Sequence, residues 1–354
     1  MSFVIMSAMP LGNAERVGWA FAKHGGFPPT PASWGYSGVV RDWTVAYFMG
    51  NASGPNNAAE VAAQSRFGIA GIGWQINNKP GNYSHEEQYE AAAAKQIKTS
   101  RAAAKVMVTR DTQVVTYFWD SARAVMMEHP EYFLRDPKTG QPISRAWVSP
   151  AGNTPKYWLN FSNAHAAAWW EDTFYGEALA QYDGIYTDCS CEDPPGIDQA
   201  TLLAVKAAGQ ISVDRVLVRA AAAGKWISSW SHEGEVRKPS CAANVRDLFE
   251  RGKSYATVQH QFNQADKEQT LPTSVAAFLV TRGQHATLMW AVAGIYESAT
   301  MYSWDAPLLE RDWGMPLSDV VEQPTGVFKR KFEGGTVALD CNIFAAAFSP
   351  PKAP

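Results

Sequence analysis

Residues Tyr182 to Gly196 read YDGIYTDCSCEDPPG, and the fold turns on how this stretch is taken. A helical run through Trp169 to Ala180 ends just before it. Asp183-Gly184 reads as a turn, Ile185-Tyr186-Thr187 as a short buried strand, and Asp188 stands where that strand stops. Cys, Ser, Glu, Asp and Pro-Pro-Gly follow, so the strand opens into a polar loop. In α/β barrels and open α/β sheets the functional groups gather at the carboxyl ends of parallel strands. No helix pattern starts within capping distance of Asp188, which favours a functional carboxylate over a helix cap.

The stretch sits in a chain of alternating strands and helices. Upstream, Trp43 to Gly50 and Ile69 to Gln75 read as buried strands around an Ala-rich helix over Asn57 to Phe67. A strand, a helix and a strand within about thirty residues form a βαβ unit, which implies a parallel sheet. Ser84 with Glu87 three residues on reads as a capping box, opening a helix that runs to Ala104. Val114 to Trp119 reads as the third strand, ending on Asp120. His129 to Lys156 reads as a long irregular insertion, expected to wall the cleft with Tyr132, Phe133 and Trp147. Ser162-Asn163 caps the helix that carries Trp169-Trp170.

Downstream, Ile197 to Ala223 is helical, and Lys225 to Trp230 is a fifth strand running into Ser231-His232-Glu233-Gly234-Glu235. Tyr255 to Phe262 and Ala286 to Trp290 read as the sixth and seventh strands, separated by a helix over Thr270 to Thr281. Ala299 to Trp304 is the candidate for an eighth. This alternation predicts an α/β fold, a (β/α)8 or TIM barrel, spanning 43–310 after an irregular lead-in over 1–42. Residues 311–354 are expected to form a C-terminal β extension, with a hairpin in Gly326 to Asp340 (GVFKRKFEGGTVALD).

Composition narrows the partners. A net charge of −3 gives no reason to expect nucleic acid or an anionic membrane. No uninterrupted apolar stretch reaches membrane-spanning length, so no membrane insertion is expected. The start, MSFVIMSAMP, lacks the basic region of a signal peptide, while sequons at Asn51, Asn82 and Asn160 leave secretion of a soluble chain open. Cys189, Cys191, Cys241 and Cys341 are too few and too scattered for a disulfide scaffold, and the Cys189-Ser190-Cys191 spacing is not that of a zinc knuckle. No Gly-rich phosphate loop, His-x-x-x-His motif or nucleophile elbow occurs, so neither a metal nor any other cofactor is expected. Nothing in the sequence speaks to oligomeric state.

The segments Trp158-Leu159-Asn160-Phe161-Ser162-Asn163 before a Trp-Trp helix, Asp183-Gly184-Ile185-Tyr186-Thr187-Asp188 after it, and the closing Phe332-Glu333-Gly334-Gly335-Thr336-Val337 resemble a family of hypothetical glycoside hydrolases with a TIM-barrel fold. Relatives carry motifs of the form LDxSNP…W, DGIFLD and REFENGxVLVN; here Asn160 stands for the usual Asp and Ala164 for the usual Pro. The resemblance covers roughly residues 43 to 342 and implies a carbohydrate substrate. DGIYTDCS is also loosely similar to the chitinase-type signature DGxDxDxE, in which Ser190 would occupy the place of the catalytic Glu. That alignment implies a non-catalytic, lectin-like carbohydrate-binding barrel.

Cleavage of a glycosidic bond needs two carboxyl groups flanking it, one an acid and the other a nucleophile or base. Neighbouring strands lie about 4.8 Å apart, so carboxylates at adjacent strand ends reach the roughly 5–9 Å separations this chemistry uses. Asp188 as nucleophile or base and Glu233 as acid form the expected pair. Glu235 is the alternate acid, and Asp120 is expected to orient a sugar hydroxyl or to be the second carboxylate. Trp74, Trp119, Trp230 and Trp290 lie at or near strand ends, where indole faces stack on sugar rings. His232, Gln259, His260 and Gln261 are the expected hydroxyl-binding groups. A glycosidase acting on an oligo- or polysaccharide is the reading these residues favour, with a lectin-like barrel and a barrel lyase or isomerase as the alternatives.

Overall fold

The computed structural model describes residues 38–48, 57–73, 85–117, 119–149, 152–188, 192–229, 233–236, 238–254, 259–263, 270–283, 287–291, 307–323 and 325–350. In chain order β1 (Thr44–Phe48), α1 (Ala58–Ser65), β2 (Ile69–Ile72), α2 (Glu86–Ser100) and β3 (Lys105–Asp111) come first. An excursion follows: β4 (Val114–Thr116), α3 (Asp120–Glu128), β5 (Ser144–Ser149) and β6 (Gly152–Trp158). Then come α4 (Ala164–Trp169), a π-helical turn over Trp170–Phe174, α5 (Gly176–Gln181) and β7 (Gly184–Asp188). They are followed by α6 (Gln199–Ala222), β8 (Trp226–Ser229), β9 (Glu233–Glu235), α7 (Cys241–Ser254), β10 (Gln259–Asn263), α8 (Leu271–Thr281) and β11 (Thr287–Ala291). The tail holds β12 (Val321–Gln323), β13 (Val327–Phe332), β14 (Gly335–Asp340) and β15 (Ala345–Ser349).

Eight strands form one parallel sheet in the order β8-β7-β3-β2-β1-β11-β10-β9. β1 is bonded to β2 on one side and to β11 on the other, so no strand lies between the first and the last. The eighth strand expected at Ala299 to Trp304 lies outside the described residues. Six of the seven expected parallel strands coincide with described ones. The third does not: it is Lys105–Asp111 (KVMVTRD), not Val114 to Trp119. Val114–Thr116 belongs instead to a separate antiparallel sheet, β4-β6-β5.

The reason is Arg110. A charged residue inside a buried strand contradicts the usual pattern, yet here its guanidinium bonds Glu90 of α2 through both Nη atoms, at 2.8 and 2.9 Å. Nη1 also donates to the Thr109 carbonyl and Nε to that of Phe174. Burial alone would lower the basicity of Arg110, but the Glu90 carboxylate more than reverses this and holds it above its usual range. Burial likewise pushes the Glu90 carboxyl up, against the pull of Arg110. The bidentate geometry, two guanidinium N–H groups on the two carboxylate oxygens, is that of an ion pair.

Two further expectations change. Ser84 lies outside the described residues, and α2 starts at Glu86 after His85, without a side-chain cap. Glu87 instead accepts the Asp120 and Ser121 backbone N–H groups at the start of α3, at 2.7 and 3.1 Å, while Asp120 accepts the His85 N–H. Two helix N-termini thus satisfy each other's orphan donors. The insertion is not irregular either: β5 and β6 pair from Ser144↔Tyr157 to Ser149↔Gly152. Within it Phe133 is buried and Tyr132 stacks on His129 at 4.7 Å.

The Asp183-Gly184 pair acts by position rather than as a turn. Gly184 is the first residue of β7, where a Cβ would stand 2.2 Å from the Trp226 carbonyl oxygen. Asp183 accepts the Val106 N–H at 2.8 Å and pairs with Lys98 at 2.6 Å, which sets the start of β7 against β3.

In the tail, β13 and β14 pair antiparallel across the two residues Glu333 and Gly334, flanked by β12 and β15. Phe328, Phe332, Val337 and Leu339 share one buried cluster with Val275 to Val280 of α8. Arg330 donates to the Leu279 and Arg282 carbonyls at the end of α8, at 3.4 and 2.5 Å. A Cys241–Cys341 disulfide ties α7 to the end of β14, a pairing that the scattered cysteines had not suggested. Among the described residues no helix is long and apolar enough to cross a membrane.

Candidate active site

The carboxyl ends of the parallel strands carry the acidic residues. β3 and β7 run in register from Met107↔Gly184 to Asp111↔Asp188, so two aspartates close two neighbouring strands side by side. Asp111 is fully buried, and the Thr116 hydroxyl donates to its Oδ2 at 2.5 Å. The Tyr175 hydroxyl lies 3.3 Å from the carbonyls of both Arg110 and Asp111, fixing the backbone at the end of β3. Thr116 is held in β4, opposite Lys156 of β6, so the antiparallel sheet supports the Asp111 carboxylate. Of Asp188 the structure describes the backbone, at the last position of β7.

Glu233 and Glu235 are not loop residues. They form the ends of β9, in register with Gln259 and Gln261 of β10, while Gly234 faces His260. Gln259, His260 and Gln261 are the first three residues of β10, which continues to Asn263, so they do not stand at its carboxyl end. Trp290 is next to last in β11, paired with Phe262. Trp74, Trp230 and His232 lie outside the described residues.

Asp120 and Trp119 leave the strand-end set. Asp120 is the first residue of α3 and forms an ion pair with Arg123. The start of α2 lies at the carboxyl end of the sheet, because α2 descends antiparallel to β2 and β3. Asp120, bonded to His85, stands at that end but in the helical layer. Trp119 is fully buried, donates from Nε1 to Glu90 at 3.3 Å, and meets Phe174 edge-on at 5.0 Å. It has no face left for a sugar.

Asp111, with its Thr116 partner, is a candidate site residue that sequence reading missed. The signal was present: VTRD over Val108–Asp111 and IYTD over Ile185–Asp188 are both buried strand endings that close on aspartate. Among the described residues no group of three His, Cys, Asp or Glu side chains is placed to hold a metal ion.

No family model matches the chain, and no curated protein matches it in sequence. Solved structures do align with it. A dextranase of glycoside hydrolase family 31 from Flavobacterium johnsoniae, complexed with glucose, aligns at 14% identity and TM-score 0.47, over 76% of this chain and 38% of its own. A cyclic α-maltosyl-(1→6)-maltose hydrolase from Arthrobacter globiformis aligns at 10% and 0.46, over 85% and 91%. An α-galactosidase from Thermus thermophilus, in complex with p-nitrophenyl α-D-galactopyranoside, aligns at 14% and 0.45, over 82% and 65%. The chain therefore spans little more than a third of the dextranase's length. All three are glycoside hydrolases, and the likeness is one of chain path, without residue correspondence.

Proposed function

We propose that the chain is a glycoside hydrolase that acts on an oligo- or polysaccharide at the carboxyl ends of its parallel strands. The observation that carries this reading is the register of Asp111 with Asp188 at the ends of β3 and β7. Neighbouring strands about 4.8 Å apart bring two such carboxylates within the distances that glycoside cleavage uses. Asp188 serves as nucleophile or base, and Glu233, the first residue of β9, as acid. Asp111 takes the part first given to Asp120, orienting a sugar hydroxyl or serving as the second carboxylate. Its Thr116 partner donates to Oδ2 and fixes where that carboxyl points.

In this reading the sheet closes as a TIM-like barrel, with one pass fewer than the (β/α)8 layout expected from the sequence. β8 and β9 sit at its two edges, yet only three residues separate them in the chain. One stretch, Trp226 to Glu235, would then pair with β7 through its first half and with β10 through its second. Eight named strands become seven passes of the chain around the barrel. Residues 311–354 form an extension packed on α7 and α8, and Trp74, Trp230, His232 and Trp290 contact sugar around the mouth, while Gln259, His260 and Gln261, at the start of β10, drop out of that set. No cofactor takes part.

The test is a screen of the wild type for release of reducing ends from α- and β-linked oligosaccharides and polysaccharides, run beside a glycan-binding array. Hydrolysis of any member supports the reading. Sugar binding with no hydrolysis would replace it with the lectin-like barrel, and neither activity would discard both.

A further inference from the structure

A cavity of about 280 Å³ opens in the helical layer, between the first turns of α2 and α3 and the length of α5. It lies on the other side of the sheet from Asp111. Arg110 lines it, and consecutive strand residues leave on opposite faces. Its volume is just below the roughly 300–1,000 Å³ of small-molecule sites, room for one ring rather than a chain.

The groups it offers are unevenly committed. Glu87 already accepts from the Asp120 and Ser121 N–H groups and the Ser121 hydroxyl, and Asp120 is held by Arg123 and His85. Four of the five Arg110 N–H groups are taken, two by Glu90 and two by the Thr109 and Phe174 carbonyls, which leaves one donor. Tyr182 is only 5% exposed and lines the cavity, yet its hydroxyl makes no hydrogen bond among the described residues. Tyr182 lines the cavity, so an occupant with an acceptor can take that hydroxyl's hydrogen bond in place of water. Burial, reinforced by Glu90 and Glu87, pushes the Tyr182 phenol above its usual range, so it stays protonated and able to donate. At the rim stand the Glu177 carboxylate and the Gln181 amide, both exposed, with the Thr173 hydroxyl beside them.

Donors at the floor and an acceptor at the rim suit a neutral molecule whose hydroxyls both donate and accept. An anion would face the Glu87, Asp120 and Glu177 carboxylates, while a cation would face the Arg110 guanidinium and the Tyr182 donor and find Glu87 and Asp120 already engaged. We propose that this cavity binds a neutral polyhydroxylated ring, a single sugar unit, at a site separate from the strand ends. The existence of the site stands on the unpartnered Tyr182 hydroxyl; its assignment to sugar rests on the glycosidase reading.

The test uses D-glucose as probe, with tetramethylammonium chloride as a cation control. Titration calorimetry on wild type, Tyr182→Phe and Tyr182→Phe/Glu177→Gln should show glucose affinity falling at least about tenfold in the variants, roughly 1.4 kcal/mol. Turnover of a small soluble substrate should stay within about twofold of wild type. Crystals of the wild type soaked in glucose should show the ring against Tyr182, a result independent of whether the variants fold. Glucose absent from the cavity, or binding untouched by both variants, would overturn the proposal, as would binding of tetramethylammonium in its place. Failure of the glycosidase reading looks different: no turnover by the wild type, with glucose still held at Tyr182.

Discussion

Glu90→Gln is the change to which the fold should be most sensitive for its size. The Glu90 carboxylate is fully buried and accepts from Arg110 Nη1 at 2.8 Å, Arg110 Nη2 at 2.9 Å and Trp119 Nε1 at 3.3 Å. Glutamine keeps one acceptor but sets an amide NH2 against the guanidinium, and it removes the charge that balances Arg110. Arg110 cannot escape to water, since its side chain is 5% exposed and lies over the Trp119 and Phe174 rings at 5.5 and 5.4 Å. Removing one member of a buried ion pair costs about 3–5 kcal/mol. At about 2 °C per kcal/mol for a chain of this size, Tm should fall by about 6–10 °C. Glu87→Gln is the control, because that carboxylate caps α3 from a half-buried position, worth about 0.5–2 kcal/mol. Differential scanning calorimetry of the three proteins decides the matter. A Glu90→Gln protein that melts within 1–2 °C of wild type, or no lower than Glu87→Gln, would refute the ion-pair reasoning.

The tail supplies two more expectations. Arg246 on α7 bonds both Glu322 oxygens, at 2.9 and 2.5 Å, and together with the Gly326 N–H holds the Glu322 carboxyl below its usual range. A depressed carboxyl stabilises above its unfolded pKa, about 4.3, and loses that contribution as pH falls through its folded value. The Tm difference between wild type and Glu322→Gln should therefore be present at pH 7 and shrink as pH falls below the unfolded value; a difference that grows on acidification would contradict this. Cys241–Cys341 spans 100 residues of chain, for which the loop-entropy model gives roughly 4–5 kcal/mol. The Cys241→Ser/Cys341→Ser protein should melt well below wild type, and reductant should bring wild type down to its level; equal melting points would refute it.

How far the sequence could be read depends on what each segment shows locally. β7 was legible because Ile185-Tyr186-Thr187 is short, β-branched and closed by a polar loop. α6 was legible from its long periodic run, and the antiparallel pair of β13 and β14 from Glu333-Gly334-Gly335. β3 was not, because Arg110 breaks its apolar run and the Glu90 that neutralises it comes twenty residues earlier, on another element. With β3 misplaced, Asp111 disappeared from the candidate site and Asp120 took its place. Trp119 was read as a sugar platform on its position alone, whereas its indole is consumed by the Arg110 cluster. Glu87 suggested a capping box for its own helix and caps α3 instead, a partnership only the tertiary structure creates. Cysteine pairing across 100 residues leaves no local trace either.

The central claim is that the carboxylates closing β3 and β7 carry out the chemistry. Its most direct test is kcat for wild type, Asp188→Asn and Asp111→Asn on whichever oligosaccharide the wild type cleaves, with circular dichroism matched across the three. Asparagine keeps the shape and most hydrogen bonds of aspartate but can neither attack nor accept a proton. The account expects Asp188→Asn to lose at least about a thousandfold in kcat with KM little changed, and Asp111→Asn to lose less but measurably. A folded Asp188→Asn protein that turns over at the wild-type rate would contradict it.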